Sequence, residues 1–178
     1  GMFAFAIWNQ KKQEFFLARD RSGKKPLFYY LDQHLFAFSS EIKSFFQIPE
    51  ISISLNEVKL PSFFQKGHLS FPETLYKNVW GLEAGSFLKI AISGVKNEQR
   101  YWDWIFPKEK NKISLEEAKD DISILFHDAV KKRLISDVPL GAFLSGGIDS
   151  TIVVGAMKKI LNQQVKTFSV GFEGDARY

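Results

Sequence analysis

Residues 144–150 read Leu-Ser-Gly-Gly-Ile-Asp-Ser, and this stretch decides the fold of the second half of the chain. An apolar run that ends at Phe143 and the following leucine predicts a buried strand, and the two glycines allow the backbone to turn tightly against a ligand. Ser150 stands where the helix that follows needs its N-cap. The N–H groups of a helix's first turn, its dipole and the hydroxyls of Ser145 and Ser150 all favour an anion. The stretch therefore predicts a phosphate-binding loop between a strand and a helix.

The sequence on either side of the loop predicts one β-α-β unit. Residues 141–144 supply the first strand, residues 151–161 a helix, and residues 165–171 a second strand. Such a connection makes the two strands parallel and places the loop at the carboxyl-terminal edge of their sheet. Ligands of open α/β sheets bind at that edge, so the fold of this half agrees with the chemistry of its loop.

A further helix is predicted before this unit. Ser114 and Glu117 have the spacing of a capping box, and apolar residues recur at helical spacing from there to about residue 134. The face that carries Ile122 and Leu125 is expected to be buried. The second half is thus predicted to begin with a helix that packs on the β-α-β unit.

The first half of the chain has a different sequence pattern. Short, aromatic-rich runs alternate with turn signals, which predicts antiparallel strands. We place these strands at residues 3–8, 14–18, 26–31, 35–39, 74–80 and 86–92, with short helices at 41–46 and 56–64. The second of these helices is expected to break at Pro61, which lacks a backbone N–H. The domains are predicted at 1–104 and 114–178, joined by a linker at 105–113.

The composition restricts the classes of partner. Of 178 residues, 45% are hydrophobic and 25% are charged, and the net charge is only +4. Because the basic residues are scattered, we expect no nucleic-acid partner. No apolar run approaches the ~20 residues that cross a bilayer, so we expect no membrane partner. The chain has no cysteine, which excludes disulfides and makes a cytoplasmic location the default expectation.

We expect two other groups of polar residues to have structural roles. The three histidines have no spacing typical of metal ligands, and we expect them to be surface or capping residues; they are His34, His68 and His127. The charged run Arg19-Asp20-Arg21 is predicted to form structural ion pairs.

Several motifs resemble one enzyme family. The segment Ser-Gly-Gly-Ile-Asp-Ser at 145–150 resembles the PP-loop of ATP pyrophosphatases, and Asp-Val-Pro-Leu-Gly at 137–141 resembles the segment before this loop in asparagine synthetases. Gly-Met-Phe-Ala-Phe-Ala-Ile-Trp at 1–8 and Leu-Ala-Arg-Asp-Arg at 17–21 resemble the later part of a class II glutamine amidotransferase domain. This domain order is that of the glutamine-hydrolysing asparagine synthetases. The resemblance implies antiparallel α+β sheets followed by the start of an α/β PP-loop domain, in an internal fragment of such an enzyme.

The resemblance also implies ligands for the loop, with ATP and Mg²⁺ as cofactors. The residues implied to bind ATP and its pyrophosphate are Leu144, Ser145, Gly146, Gly147, Asp149, Ser150 and Val170. Asp149 is also the candidate ligand of Mg²⁺, because a carboxylate beside phosphates needs a cation between them. Leu144 and Val170 match positions that contact the adenosine, and ordinary core packing explains them equally well.

The implied reaction of the parent enzyme is a carbon–nitrogen ligation. ATP would adenylate aspartate, and ammonia released from glutamine would then form asparagine. The amidotransferase nucleophile of this family is an amino-terminal cysteine, so in this cysteine-free chain no catalytic residue is assigned and no glutaminase activity is expected.

Two alternatives stay open at this point. One is a related amide-forming PP-loop synthetase, such as a β-lactam synthetase-like enzyme or an amidotransferase from a polysaccharide cluster. The other is a catalytically inactive, truncated interaction module. Because such a truncated module would expose the uncovered faces of two incomplete domains, we expect self-association.

Overall fold

The computed structural model describes residues 1–94, 96–106 and 113–171. The chain divides into two compact units, unit 1 at Gly1–Phe106 and unit 2 at Pro107–Tyr178. Most of the predicted linker at 105–113 lies outside the described residues, as does the segment 172–178.

Unit 1 consists of antiparallel sheets with short helices. Its strands are β1 (Ala4–Asn9), β2 (Glu14–Arg19), β3 (Phe28–Leu31), β4 (Phe36–Ser39), β5 (Val79–Gly81), β6 (Ser86–Ala91) and β7 (Lys96–Arg100). One sheet has the order β1-β2-β6-β7 and the other the order β4-β3-β5. Two 3₁₀ helices, Ile42–Gln47 and Glu57–Lys59, and helix α1 (Leu60–Lys66) lie between β4 and β5. The antiparallel α+β class predicted for this half is confirmed.

The alternation of side chains along the strands explains how the sheets pack. Leu17 of β2 and Leu88 of β6 are buried in one cluster with Tyr29 of β3, so the two sheets share a core. The next residue, Tyr30, points to the opposite side of β3 because successive strand side chains alternate. There it packs with Phe45 of the first 3₁₀ helix in a second cluster.

The predicted strand at 74–80 is wrong for most of its length. Only Val79 and Trp80 of that range join a strand, and Tyr76 makes one isolated bridge with Leu55. The Thr74 hydroxyl accepts from the Tyr76 N–H at 3.1 Å and donates to the Val79 carbonyl at 2.8 Å. This local side-chain bonding competes with sheet pairing and turns the backbone instead.

Strand β7 was not predicted. Its sequence, Lys-Asn-Glu-Gln-Arg, contains no apolar residue, and all five of its residues are exposed at the edge of the four-stranded sheet. Alternating hydrophobicity marks a strand only when one of its faces is buried. The backbone of this strand nonetheless pairs with β6, from Ser86↔Arg100 to Ile90↔Lys96.

Pro61 begins a helix rather than breaking one. It is the second residue of α1, where its missing N–H is not needed, since the first turn of a helix has no intrahelical acceptors for such groups. The predicted helix at 41–46 is a 3₁₀ helix displaced by one residue at each end.

Within the charged run at residues 19–21, Arg19 and Asp20 form hydrogen bonds to the backbone rather than the predicted ion pairs. Arg19 and Asp20 are both buried. The Arg19 guanidinium donates only to backbone carbonyls, and the Asp20 carboxylate accepts only backbone N–H groups among its hydrogen bonds in the described residues. The two side chains therefore hold the turn between β2 and β3.

Unit 2 contains the predicted β-α-β unit. Helix α2 (Leu115–Lys131) is followed by β8 (Gly141–Phe143), α3 (Ile148–Leu161) and β9 (Lys166–Phe168). Strands β8 and β9 pair in parallel, as expected, with Gly141 opposite Lys166. The α/β character predicted for this half is confirmed.

The buried face of α2 differs from the predicted one. The capping box is present, with the Ser114 hydroxyl accepting from the Glu117 N–H. Ile122 and Leu125 are exposed, whereas Val130 is buried near the end of the helix against α3. The apolar residues of α2 recur with the helical period, but only its carboxyl-terminal turns pack on the described part of unit 2.

No helix in the described ranges combines the length and the apolar character that a membrane span requires.

Candidate functional site

The loop begins at Leu144, where both neighbouring peptide groups are bonded to the segment at the end of β9. The Leu144 N–H donates to the Phe168 carbonyl at 2.9 Å, which extends the parallel pairing by one residue. The Leu144 carbonyl accepts a hydrogen bond of 2.6 Å from the Ser169 hydroxyl. The start of the loop is therefore fixed to the end of the neighbouring strand.

The two glycines of the loop differ in backbone conformation. Gly146 has a φ of +81°, in the left-handed region that favours glycine. Gly147 has a φ of −77° and a ψ of 161°, which any residue adopts easily. A Cβ atom at Gly147 would meet only the Ser145 Oγ, at 3.5 Å. Nothing in the described chain thus requires glycine at residue 147, whereas close approach of a ligand would require it.

The two serines of the motif face each other across the loop. Their hydroxyl oxygens lie 3.2 Å apart, and the Ser145 N–H donates to the Ser150 Oγ at 3.3 Å. Ser150 in turn donates to the Gly147 carbonyl at 3.1 Å, and the Thr151 hydroxyl donates to the same carbonyl at 2.8 Å. These contacts close the loop into a small ring of hydroxyls and backbone.

The amino end of α3 offers hydrogen-bond donors without acceptors. Gly147 is the N-cap residue, and no side chain caps the helix. Among the described residues, no acceptor is bonded to the N–H groups of Gly146 or Gly147, or to those of residues 148–150. These groups carry the positive end of the helix dipole. The loop can therefore bind an anion through several N–H groups at once.

Asp149 lies in the first turn of α3 and is exposed. Its carboxylate takes part in no ion pair within the described ranges. No group of three or more potential metal-ligating side chains occurs in the described part of the chain. A single carboxylate still fits Mg²⁺, which is commonly held by one or two carboxylates together with substrate phosphates and water.

The two residues expected at the adenosine lie at the ends of adjacent strands. Leu144 is partly buried, and the Val170 side chain is 80% exposed. Core packing within the described residues therefore does not explain the apolar side chain of Val170. It does explain the partial burial of Leu144.

Two expectations about the loop are wrong. Helix α3 begins at Ile148, so Ser150 is its third residue rather than its N-cap. The strand before the loop is not buried on both faces, because Phe143 is 80% exposed while Ala142 packs on the unit 2 core. Strand alternation places these neighbours on opposite faces, and the Phe168 ring, whose centroid lies 6.4 Å from that of Phe143, leaves most of Phe143 exposed.

Sequence reasoning missed Ser169 and Thr151. Both hydroxyls bond to carbonyls of the loop, but serine and threonine are common beside strands and helices. The only available signal was position, since Ser169 directly precedes Val170 and Thr151 directly follows the motif.

The histidines do not form a site. His34 and His68 are exposed, and the His68 and His127 rings each contact a nearby backbone carbonyl, at 3.0 Å and 2.8 Å. Unit 1 offers no nucleophilic thiol, because the chain has no cysteine. The loop of unit 2 is therefore the arrangement with the clearest capacity to bind a ligand.

Two protein families match different parts of the chain. A family described as "Glutamine amidotransferase domain" matches residues 1–102, and one described as "Asparagine synthase" matches residues 121–178. The chain belongs to the glutamine amidotransferase domain family, and it carries an asparagine synthase match after that domain.

Several individual relatives are named as glutamine-hydrolysing asparagine synthetases. The chain is 40% identical to a putative glutamine-hydrolyzing asparagine synthetase 2 of Methanocaldococcus jannaschii, over 98% of the chain and 34% of the relative. It is 35% identical to the glutamine-hydrolyzing asparagine synthetase 3 of Bacillus subtilis, over 100% of the chain and 29% of the relative. It is also 31% identical to a protein named amidase chry2 from Gibberella zeae, over 93% of the chain and 24% of the relative. The chain thus spans about a third or less of the length of these curated relatives.

Proposed function

We propose that residues 144–150 bind the pyrophosphate portion of ATP in an enzyme that activates a carboxylate and converts it to an amide. The observation that carries this proposal is the set of backbone N–H groups around Gly147 that have no acceptor in the described chain. Several N–H groups that converge on one volume, at the positive end of a helix dipole, favour a phosphate.

The side chains of the loop support the same ligand. The hydroxyls of Ser145 and Ser150 lie at the edge of the N–H cluster and are able to donate to phosphate oxygens. When bound, Mg²⁺ would offset phosphate charge, and Asp149 is the residue placed to hold it. Leu144 and Val170 would bind the nucleoside through the apolar ends of the two strands.

The relatives support aspartate as the carboxylate and glutamine as the source of ammonia. Their names describe glutamine-hydrolyzing asparagine synthetases, so the proposed activity is a carbon–nitrogen ligation with ATP, aspartate and glutamine as substrates. A cytoplasmic location is part of the proposal, because a chain without cysteine suits a reducing compartment.

A related amide-forming enzyme is the second candidate. The Gibberella zeae relative is named as an amidase and still matches 93% of the chain, across both domains. A protein named for a different reaction therefore matches both domains of this chain. The carboxylate substrate is either aspartate or the substrate of a related amide-forming enzyme.

Calorimetric titration tests the anion site directly. The chain is titrated with ATP, with inorganic pyrophosphate and with AMP, each in the presence of Mg²⁺. We expect ATP and pyrophosphate to bind and AMP to bind about tenfold more weakly or not at all, because AMP lacks the pyrophosphate that the N–H groups would bind.

Two aspartate variants provide the matched comparison. Asp149→Ala is expected to weaken Mg²⁺-dependent pyrophosphate binding by about tenfold. Asp121→Ala removes an exposed carboxylate of the same unit, on α2, and should bind like the unsubstituted chain. Absence of pyrophosphate binding by the unsubstituted chain would overturn the proposal, and equal binding by the Asp149 variant would remove that residue from the site.

A further inference from the structure

The Ser169 hydroxyl connects the segment after β9 to the first peptide group of the loop. It donates to the Leu144 carbonyl at 2.6 Å across a sequence separation of 25 residues. Leu144 is also bonded through its N–H to the Phe168 carbonyl at 2.9 Å. The peptide groups on both sides of Leu144 are therefore bonded to neighbouring residues of one segment.

The bond from Ser169 fixes a direction as well as a position. The Leu144 carbonyl and the Ser145 N–H belong to one planar trans peptide group, in which they point in opposite directions. With the carbonyl directed to Ser169, the Ser145 N–H is directed to the other side. There it donates to the Ser150 Oγ at 3.3 Å, and Ser150 donates to the Gly147 carbonyl at 3.1 Å.

These contacts form a continuous chain of hydrogen bonds across the loop. The chain runs from Ser169 through the Leu144–Ser145 peptide to Ser150, and ends at the carbonyl of the N-cap residue of α3. Rotation of the first peptide would release the Ser145 N–H from Ser150. The remaining contact between the two serines would be that of their hydroxyl oxygens, 3.2 Å apart.

We infer that Ser169 is a positioning residue that sets the orientation of the Leu144–Ser145 peptide and thereby holds the loop in its anion-binding form. Its consequence for ligand binding rests on the proposed function of the loop. Its consequence for the peptide itself does not, because these hydrogen bonds join atoms of the chain itself. The two consequences are measured separately.

The first measurement is amide hydrogen exchange of Ser145 by NMR on the full chain without ligand. In Ser169→Ala the Ser145 amide should exchange several times faster, because its peptide is free to rotate away from Ser150. Ser169→Thr keeps a hydroxyl at the same place and should restore slow exchange. Ser136→Ala removes a hydroxyl of unit 2 that bonds only to the nearby Val138 backbone, and it should leave Ser145 unchanged.

The second measurement is pyrophosphate binding with Mg²⁺ by the same variants. Ser169→Ala should weaken binding about fivefold, the effect of losing one ordinary hydrogen bond. Ser169→Thr and Ser136→Ala should bind like the unsubstituted chain. A role limited to stability would lower the free energy of unfolding without the selective change at Ser145 and without rescue by threonine.

Each result tests either the positioning role of Ser169 or the proposed function of the loop. Equal Ser145 exchange in Ser169→Ala and the unsubstituted chain overturns the positioning role, whatever binds to the loop. Faster exchange with unchanged pyrophosphate affinity shows that the peptide orientation does not control binding and overturns the role in the site. Faster exchange in a chain that binds no pyrophosphate supports the peptide orientation and overturns the proposed function.

Discussion

The guanidinium of Arg19 donates a 2.7 Å hydrogen bond to the carbonyl of Leu82, which lies 63 residues further along the chain. The same side chain donates to the carbonyls of Lys25 and Gly23, each at 2.8 Å. Burial lowers the pKa of Arg19, and the adjacent Asp20 carboxylate opposes that shift. One buried cation therefore satisfies three carbonyls and joins the turn after β2 to the segment before β6.

Arg19→Lys tests this arrangement. A lysine ammonium cannot reproduce the planar fork that reaches three separate carbonyls, so we expect the free energy of unfolding to fall by about 3 kcal/mol. Urea unfolding of the full chain, followed by tryptophan fluorescence, measures the change. Arg21→Lys is the control, because Arg21 is exposed and should change stability by less than about 0.5 kcal/mol. Equal stability of the two variants would contradict the role of the guanidinium fork.

Asp20→Asn is expected to destabilise unit 1 in a pH-dependent way. Asp20 is only 1% exposed, and its carboxylate accepts the N–H groups of Ser22, Lys24 and Lys25 at 2.9–3.1 Å. Burial alone would raise the pKa of Asp20, but these backbone donors together hold it below the usual value of 3.8. The ionised carboxylate therefore stabilises the folded state, and asparagine should cost about 2 kcal/mol at pH 7.

The sign of the shift fixes the pH window of this effect. Because the folded pKa of Asp20 is depressed, its contribution is complete above the unfolded value near pH 4 and is lost as pH falls through the folded value. The stability difference between the unsubstituted chain and Asp20→Asn should therefore narrow below about pH 4. Asp121→Asn, at an exposed position of α2, is the control. A difference that stays constant from pH 7 to pH 3 would contradict this account.

Local patterns predicted the parts of the fold whose signals are local. The β1–β2 hairpin follows from two alternating apolar runs around a polar turn, and the start of α2 follows from its Ser114 and Glu117 capping box. Strand β7 escaped prediction because its five polar residues carry no hydrophobic signal. Its pairing with β6 is a tertiary contact, which a local sequence pattern cannot predict.

The candidate site likewise has features that the sequence predicted and features that it did not. The residue types of the loop predicted its position between a strand and a helix, because glycine and serine have specific local roles in such turns. The bond from Ser169 to Leu144 could not be predicted, since it joins residues 25 positions apart through one rotatable hydroxyl. The exposure of Phe143 depends on which elements cover each face of the sheet, and periodicity does not specify this.

The chain is expected to release no ammonia from glutamine. Thiol attack on the glutamine amide requires a cysteine, and none of the 178 residues is cysteine. Incubation with glutamine, followed by enzymatic detection of ammonia, measures the activity against a heat-denatured sample. Steady ammonia release above that background, retained through repeated purification, would show that another nucleophile operates in unit 1.

The edge of the four-stranded sheet is expected to mediate self-association. In the described chain β1 pairs only with β2, and no charged side chain occurs between Met2 and Gln10. Ile7 in this strand is 54% exposed. An uncharged, apolar edge strand offers unpaired backbone groups to a second copy.

Ile7→Lys should therefore shift the chain toward monomer, because an edge lysine opposes strand pairing. Size-exclusion chromatography with light scattering over a range of concentrations measures the mass. Val58→Lys is the matched control, since Val58 is 81% exposed but lies in a 3₁₀ helix rather than at a sheet edge. A monomeric unsubstituted chain at every concentration would refute the expectation, and an equal effect of both lysines would show that the edge is not the contact.

The two loop glycines should respond to substitution in opposite directions. Gly146→Ala places a side chain at a φ of +81° and should destabilise unit 2 by about 1 kcal/mol, although its Cβ meets no atom within 4 Å. Gly147→Ser instead supplies a good N-cap at a backbone already in the extended region, so α3 should gain a few tenths of a kcal/mol. The new hydroxyl would accept a hydrogen bond from one of the first-turn N–H groups of α3, and pyrophosphate affinity should fall even as stability rises. Urea unfolding and calorimetric titration of both variants separate the two effects. A Gly147→Ser variant that is more stable and binds pyrophosphate as well as the unsubstituted chain would place the anion elsewhere.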